Sequence, residues 1–159
     1  EIFNFAEKYM DEEDNAILIN VLSARLTPKR DLLLERLALI RRLEESVLNA
    51  FCQHALKVDP LLYGADGQSR TKDLIELVKN RRLAHMHVSF LMFVMYSTLS
   101  AIVQHKAPEK SEFHLYPINI YTVQTFINAL LDIMMWVEDS IDNGLRDGAL
   151  MDDFVPGRK

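Results

Sequence analysis

A chain of 159 residues is long enough for one domain that buries about two-thirds of the surface its unfolded form exposes. Its net charge of −5 excludes a protein coated in basic surface for nucleic acid, yet leaves room for a local basic groove, because Lys and Arg cluster at 29–42 and 79–82. Only five Gly and five Pro interrupt a composition that is 49% apolar, so long helices are the expected elements.

Residues 1–10 make a short amphipathic segment, stopped by the acidic cluster from Asp11 to Asp14. Asp11 is placed to cap a helix over 12–25, which presents Ile17, Leu18, Val21, Leu22 and, just past its end, Leu26. Thr27-Pro28 reads as a start signal, with Thr as N-cap and Pro at the first helical position. The helix from Pro28 then runs to about Leu56 on the stripe Leu33, Leu37, Ile40, Glu44, Val47, Phe51, Ala55, in which Glu44 is the one polar intruder. Its other face, with Lys29, Arg30, Glu35, Arg41, Arg42 and Glu45, is a solvated one.

Residues 58–70 form a loop on Pro60, Gly64 and Asp66-Gly67, and Ser69 or Thr71 caps a helix that continues to about Gln104. A second loop spans 106–117. The last long helix, about 118–144, carries the stripe Val123, Phe126, Ile127, Leu130, Met134, Val137, Ile141 and ends at Asn143-Gly144. The expected fold is all-α: an up-and-down helical bundle with three long helices and one or two shorter ones. Residues 1–146 form the single domain, and 147–159 a C-terminal tail.

The single cysteine, Cys52, rules out an intrachain disulfide framework and suits a reducing cytoplasm, as a buried structural thiol. Nothing at Glu1 reads as a signal peptide, and the missing Met fits a trimmed or partial chain. The longest apolar run, Val88 to Val103, is about one turn short of a membrane span and reads as core, so no membrane association is expected. No glycine-rich phosphate loop and no nucleophile elbow occur. His85-x-His87 is the only close pair of metal-binding type, and a helix throws two such side chains to different faces, so neither metal nor cofactor is expected.

What remains is Lys79-Asn80-Arg81-Arg82-Leu83-Ala84-His85-Met86-His87, inside the most apolar helix. That helix has the stripe Leu74, Val78, Arg81, His85, Val88, Met92, Met95, Leu99, Val103, so Arg81 and His85 stand where Leu or Ile belongs. A charge aimed into a core needs a reason. Arg with His inside a helical protein suits phosphodiester chemistry on RNA. A guanidinium grips the phosphate and offsets charge in the transition state, while an imidazole moves the proton of the 2′-hydroxyl or of the leaving oxygen.

The segment Asn80-Arg81-Arg82-Leu83-Ala84-His85-Met86-His87 resembles the signature of the HEPN superfamily. There an Arg, often followed by a polar residue such as Asn, is separated from His by four to six intervening residues, and many members end the motif in Ala-His, as Ala84-His85 do here. The abortive-infection and toxin-like branches are nearest. The resemblance implies a metal-independent endoribonuclease of defence or toxin–antitoxin type that dimerises, bringing two motifs across a groove, and leaves a 2′,3′-cyclic phosphate. RNA, a second copy of the chain and an antitoxin or other protein are then the expected partners. Arg81 and Arg82 would bind the scissile phosphate, His85 or His87 would shuttle the proton, and Asn80 would orient substrate.

Two pairings stay open. Helical periodicity favours Arg81 with His85, whereas motif spacing favours Arg81 or Arg82 with His87; read back from Ala84-His85, the Arg position falls on Asn80 or Lys79. The competing reading is a non-catalytic helical interaction or dimerisation module, in which Arg81 pairs with Glu44 in a buried network completed by His85. Glu44 would orient Arg81 in the ribonuclease as well. Tyr116, Tyr121 and Trp136 are expected to be buried aromatics, and the Met- and Phe-rich run 86–95 core or dimer interface.

Overall fold

In the computed structural model residues 2–64, 69–104 and 118–145 are described. They form α1 (Ile2–Tyr9), α2 (Glu12–Ser23), α3 (Arg30–Ala50), a π-helical turn (Phe51–Leu56), a 3-10 turn (Pro60–Leu62), α4 (Arg70–Asn80), α5 (Met86–Gln104) and α6 (Ile120–Asn143). No strand occurs among the described residues, and the fold is an all-α bundle. The loop expected at 106–117, with Tyr116, and the tail at 147–159 lie outside them.

Helix starts follow side-chain chemistry. Asp11 caps α2 by accepting the Asp14 N–H at 2.7 Å. Ser69 caps α4 through the Lys72 N–H, and Asn119 with Thr122 closes a reciprocal capping box on α6. Each such bond satisfies an N–H that the helix itself cannot, worth about 1 kcal/mol.

The expected start of α3 is different. Its N-cap is Lys29, without a side-chain bond, and Thr27-Pro28 belongs to the connection from α2. That connection, anchored by the half-buried Leu26 on the core, takes up the residues that would have made the first turn. Arg36 ties the two helices together by donating to the Asn20 side chain at 2.7 Å.

α3 is the central element, packed against α2, α5 and α6. Leu33, Leu37, Ile40, Val47 and Phe51 are all within 1% of full burial, as their stripe predicts. Burial of each such side chain contributes about 1.5–3 kcal/mol. The Phe51 ring meets Trp136 of α6 at 4.7 Å, so Trp136 is a packing residue, whereas Tyr121 is 70% exposed. The π turn ends at Lys57, in the left-handed region with φ 58°, and the Val58 N–H returns to the Cys52 carbonyl at 3.1 Å. Cys52 is buried and its thiol donates to the Val58 carbonyl at 3.4 Å. Among the described residues α6 alone has the length and composition to cross a membrane, but its Val123, Leu130, Met134 and Val137 are core residues of the bundle.

The largest departure concerns the helix expected from Ser69 to Gln104. It is two helices, parted at residues 81–85. The Arg82 backbone lies at φ 53°, in the left-handed region. Its N–H bonds back to the Lys79 carbonyl at 3.2 Å, and the Leu83 N–H reaches the Val78 carbonyl at 3.0 Å. This pair of bonds is a Schellman closure, which ordinarily puts Gly where Arg82 stands. The accompanying apolar contact is supplied by Leu83 and Val78, 4% and 0% exposed. α5 then restarts, with His85 accepting the first helical bonds from Val88 and Ser89.

Candidate functional site at the α4–α5 junction

The break reverses the expected orientation of the motif. With α4 stopped at Asn80, Leu83 and Ala84 turn into the core, and Arg81, Arg82, His85 and His87 are all exposed, as is Asn80. The inward placement of Arg81 and His85 is therefore corrected. A continuous 3.6-residue stripe would have buried them; the left-handed residue at 82 shifts the phase so that Leu83 and Ala84 fill that layer. Leu74 and Val78 below the break and Val88, Met92, Met95 and Leu99 above it remain buried, as expected.

A second correction concerns the two histidines. His85 precedes α5 while His87 lies in its first turn, so the opposed directions expected inside one helix do not arise. Their rings stack with centroids 5.9 Å apart and planes 15° apart. Both imidazoles therefore share one patch of surface. No three His, Cys, Asp or Glu side chains converge as a metal-binding set among the described residues.

Glu44 also departs from expectation. It is fully buried, and neither carboxylate oxygen accepts a hydrogen bond. The expected bond to Arg81 is not made, because Arg81 sits at the surface past the end of α4. Burial pushes the Glu44 carboxyl well above its ordinary range; the neighbouring Glu45 charge adds to the rise and Arg41 opposes it. Arg41 itself holds Glu45 at 3.2 Å and donates to the Ser100 hydroxyl of α5 at 3.4 Å. The buried Arg–His–Glu network of the competing reading is thus absent.

The site is electropositive in kind. Arg81 and Arg82 stand shortly before the 19-residue α5, whose Met86 and His87 N–H groups precede the first helical bonds, those of Val88 and Ser89 to the His85 carbonyl. A helix N-terminus carries about half a positive charge and suits a phosphate. Two guanidiniums, two imidazoles and that helix end occupy one stretch of seven residues, 81–87. The arrangement can hold a phosphodiester and move protons beside it.

Comparison with known protein families, curated proteins and solved structures finds no match.

Away from the motif, a groove of about 340 Å³ runs between α2 and α3, with Asp11, Asp14, Arg42 and Glu45 among its lining residues. There Arg42 bonds Asp14 at 2.9 Å and Glu13 at 3.2 Å, an ion-pair cluster that pins α2 to α3. The residues that sequence reasoning missed are Leu83 and Ala84, which anchor the exposed motif.

Proposed function

We propose that this chain is a HEPN-like, metal-independent endoribonuclease of the cytoplasm, serving in defence or as a toxin. The observation that supports it most is the outward presentation of Arg81, Arg82, His85 and His87 on one helix junction. A polynucleotide can reach all four there, which a structural network would not require. The strain at Arg82 adds to this, since a non-glycine residue held in the left-handed region costs about 1–2 kcal/mol and such residues concentrate at functional sites.

In this reading Arg81 and Arg82 take the non-bridging oxygens of the scissile phosphate. One imidazole accepts the proton of the adjacent 2′-hydroxyl as that oxygen bonds to phosphorus. The bond from phosphorus to the 5′-oxygen breaks, and the leaving oxygen takes a proton from the second imidazole. The products are a 2′,3′-cyclic phosphate and a 5′-hydroxyl, and each proton is accounted for. Asn80, at the last turn of α4, orients the substrate. Because both rings share the patch, His85 and His87 serve as the acid–base pair together. A second copy of the chain, pairing two such junctions, and an antitoxin or other protein complete the proposed partners.

The test is cleavage of a mixed RNA pool with EDTA present, by the wild type and by His85→Ala and His87→Ala. Metal-independent cleavage that falls by ~10²-fold or more in either variant supports the reading. Absence of cleavage by the wild type removes it. A second reading, a non-catalytic interaction module, is favoured by one observation: Met86, Phe90 and Phe93 stand 86%, 64% and 54% exposed on α5. It predicts an inert protein whose oligomeric or bound state depends on those three side chains.

A further inference from the structure

α5 is apolar on two opposite faces. Val88, Met92, Met95 and Leu99 bury one face. The other presents Met86, Phe90 and Phe93, which at about 100° per residue fall within a narrow arc opposite to it. This exposed strip begins at the motif itself, since Met86 lies between His85 and His87 in the sequence. The strip needs an occupant.

Charge decides what kind. No Asp or Glu occurs from Leu77 to Gln104, in a chain that has 23 acidic residues, while Lys79, Arg81 and Arg82 fall inside that interval. The strip is thus an uncharged aromatic surface leading away from a cationic end. A folded protein partner needs a larger apolar patch: at about 200 Å² per large side chain, three partly exposed ones offer roughly half of the ~800 Å² that each side of a standard interface buries. A nucleobase asks for less. It needs one aromatic face, with cations nearby for the phosphate that follows it.

We infer that the exposed strip of α5 is a stacking platform for unpaired bases, with Phe90 and Phe93 as the stacking residues and Met86 packing the base next to the scissile phosphate. The inference rests on the ribonuclease reading and deepens it by naming the substrate: RNA that is single-stranded on one side of the cut. Bases in a duplex are already stacked and paired, so they cannot lie on Phe90 and Phe93. The platform selects unpaired RNA without reading its sequence, because every base has a π-face.

The test uses a fluorescent 2′-O-methyl RNA 12-mer, which lacks the attacking hydroxyl, alone and annealed to its complement. The wild type is expected to bind the single strand at least tenfold more tightly than the duplex. Phe90→Ala with Phe93→Ala should lower single-strand affinity by tenfold or more, leave duplex affinity unchanged, and leave the melting temperature within a few degrees. Phe90→Tyr with Phe93→Trp should restore binding. Equal binding of single strand and duplex, or of wild type and the double alanine variant, overturns the platform. So does a double variant that keeps its RNA affinity but changes from dimer to monomer in sedimentation, because a second copy then covers the strip. A platform that binds as described in a protein that cleaves nothing would stand while the ribonuclease reading falls.

Discussion

The imidazole rings of His85 and His87 lie in near-parallel stack, 5.9 Å between centroids, although the two residues are only two apart in sequence. Inside one helix they would point about 200° apart. The stack exists because α4 stops at Asn80 and α5 starts at Met86, leaving His85 free of helical geometry. Replacing either ring by Ala is expected to leave stability within ~0.5 kcal/mol, since both are exposed. Cleavage is expected to fall ~10²-fold or more, and the double variant to be no worse than the poorer single one, because the pair acts as a unit. Melting curves beside initial rates separate the two effects.

Arg82 occupies the position that glycine usually takes at a helix end, at φ 53°. Arg82→Gly removes the steric penalty of the left-handed conformation, ~1–2 kcal/mol, and adds back part of it through the more flexible unfolded chain. The expected outcome is a protein more stable by about 0.5–1 kcal/mol and less active, because the guanidinium is gone. Arg82→Lys should keep the strain and part of the activity. Chemical denaturation beside the cleavage assay checks both.

Glu44 gives a pH signature. Its folded carboxyl holds a proton more tightly than the unfolded chain does, because burial without a hydrogen-bond partner disfavours the charge. That contribution to stability is fully present below the ordinary glutamate range and is lost as the pH rises toward the raised folded value. Glu44→Met should therefore stabilise the fold by about 1–3 kcal/mol near neutral pH, with the gain shrinking as the pH falls from the raised folded value toward the ordinary glutamate range. Denaturation midpoints across that interval measure it.

Cys52 is buried within the π turn, and burial pushes its thiol up to about 12. Almost no thiolate exists at neutral pH, so an aromatic disulfide reagent should label native protein only as fast as it opens. The labelling rate should rise with urea in step with unfolding.

The periodicity of α3 and α6 was legible because each helix keeps one stripe: Leu33 to Phe51 are buried where the spacing puts them, as are Val123, Leu130, Met134 and Val137, with Phe126 and Ile127 half-buried against the core. Asp11 and the end of α6 at Asn143-Gly144 were legible from capping chemistry. The break at 81–85 was not. It has no Gly or Pro, and the closure uses an Arg in the left-handed region, for which sequence carries no local signal. A stripe that continues across the break, Leu74 and Val78 into Val88 and Met92, made two helices read as one. That misreading put Arg81 and His85 inside and paired Arg81 with Glu44. Thr27-Pro28 misled for a simpler reason: the α2–α3 connection needed those residues before α3 could start.

The proposed chemistry depends on the substrate's own 2′-hydroxyl as nucleophile. The most direct measurement is cleavage, with EDTA present, of one RNA in two forms: all-ribose, and with a single 2′-deoxy nucleotide on the 5′ side of the mapped cut. The ribose form is expected to yield a 2′,3′-cyclic phosphate and a 5′-hydroxyl, and the deoxy form to stay intact at that bond. Equal cleavage of both forms, or none of either by the wild type, would contradict that chemistry.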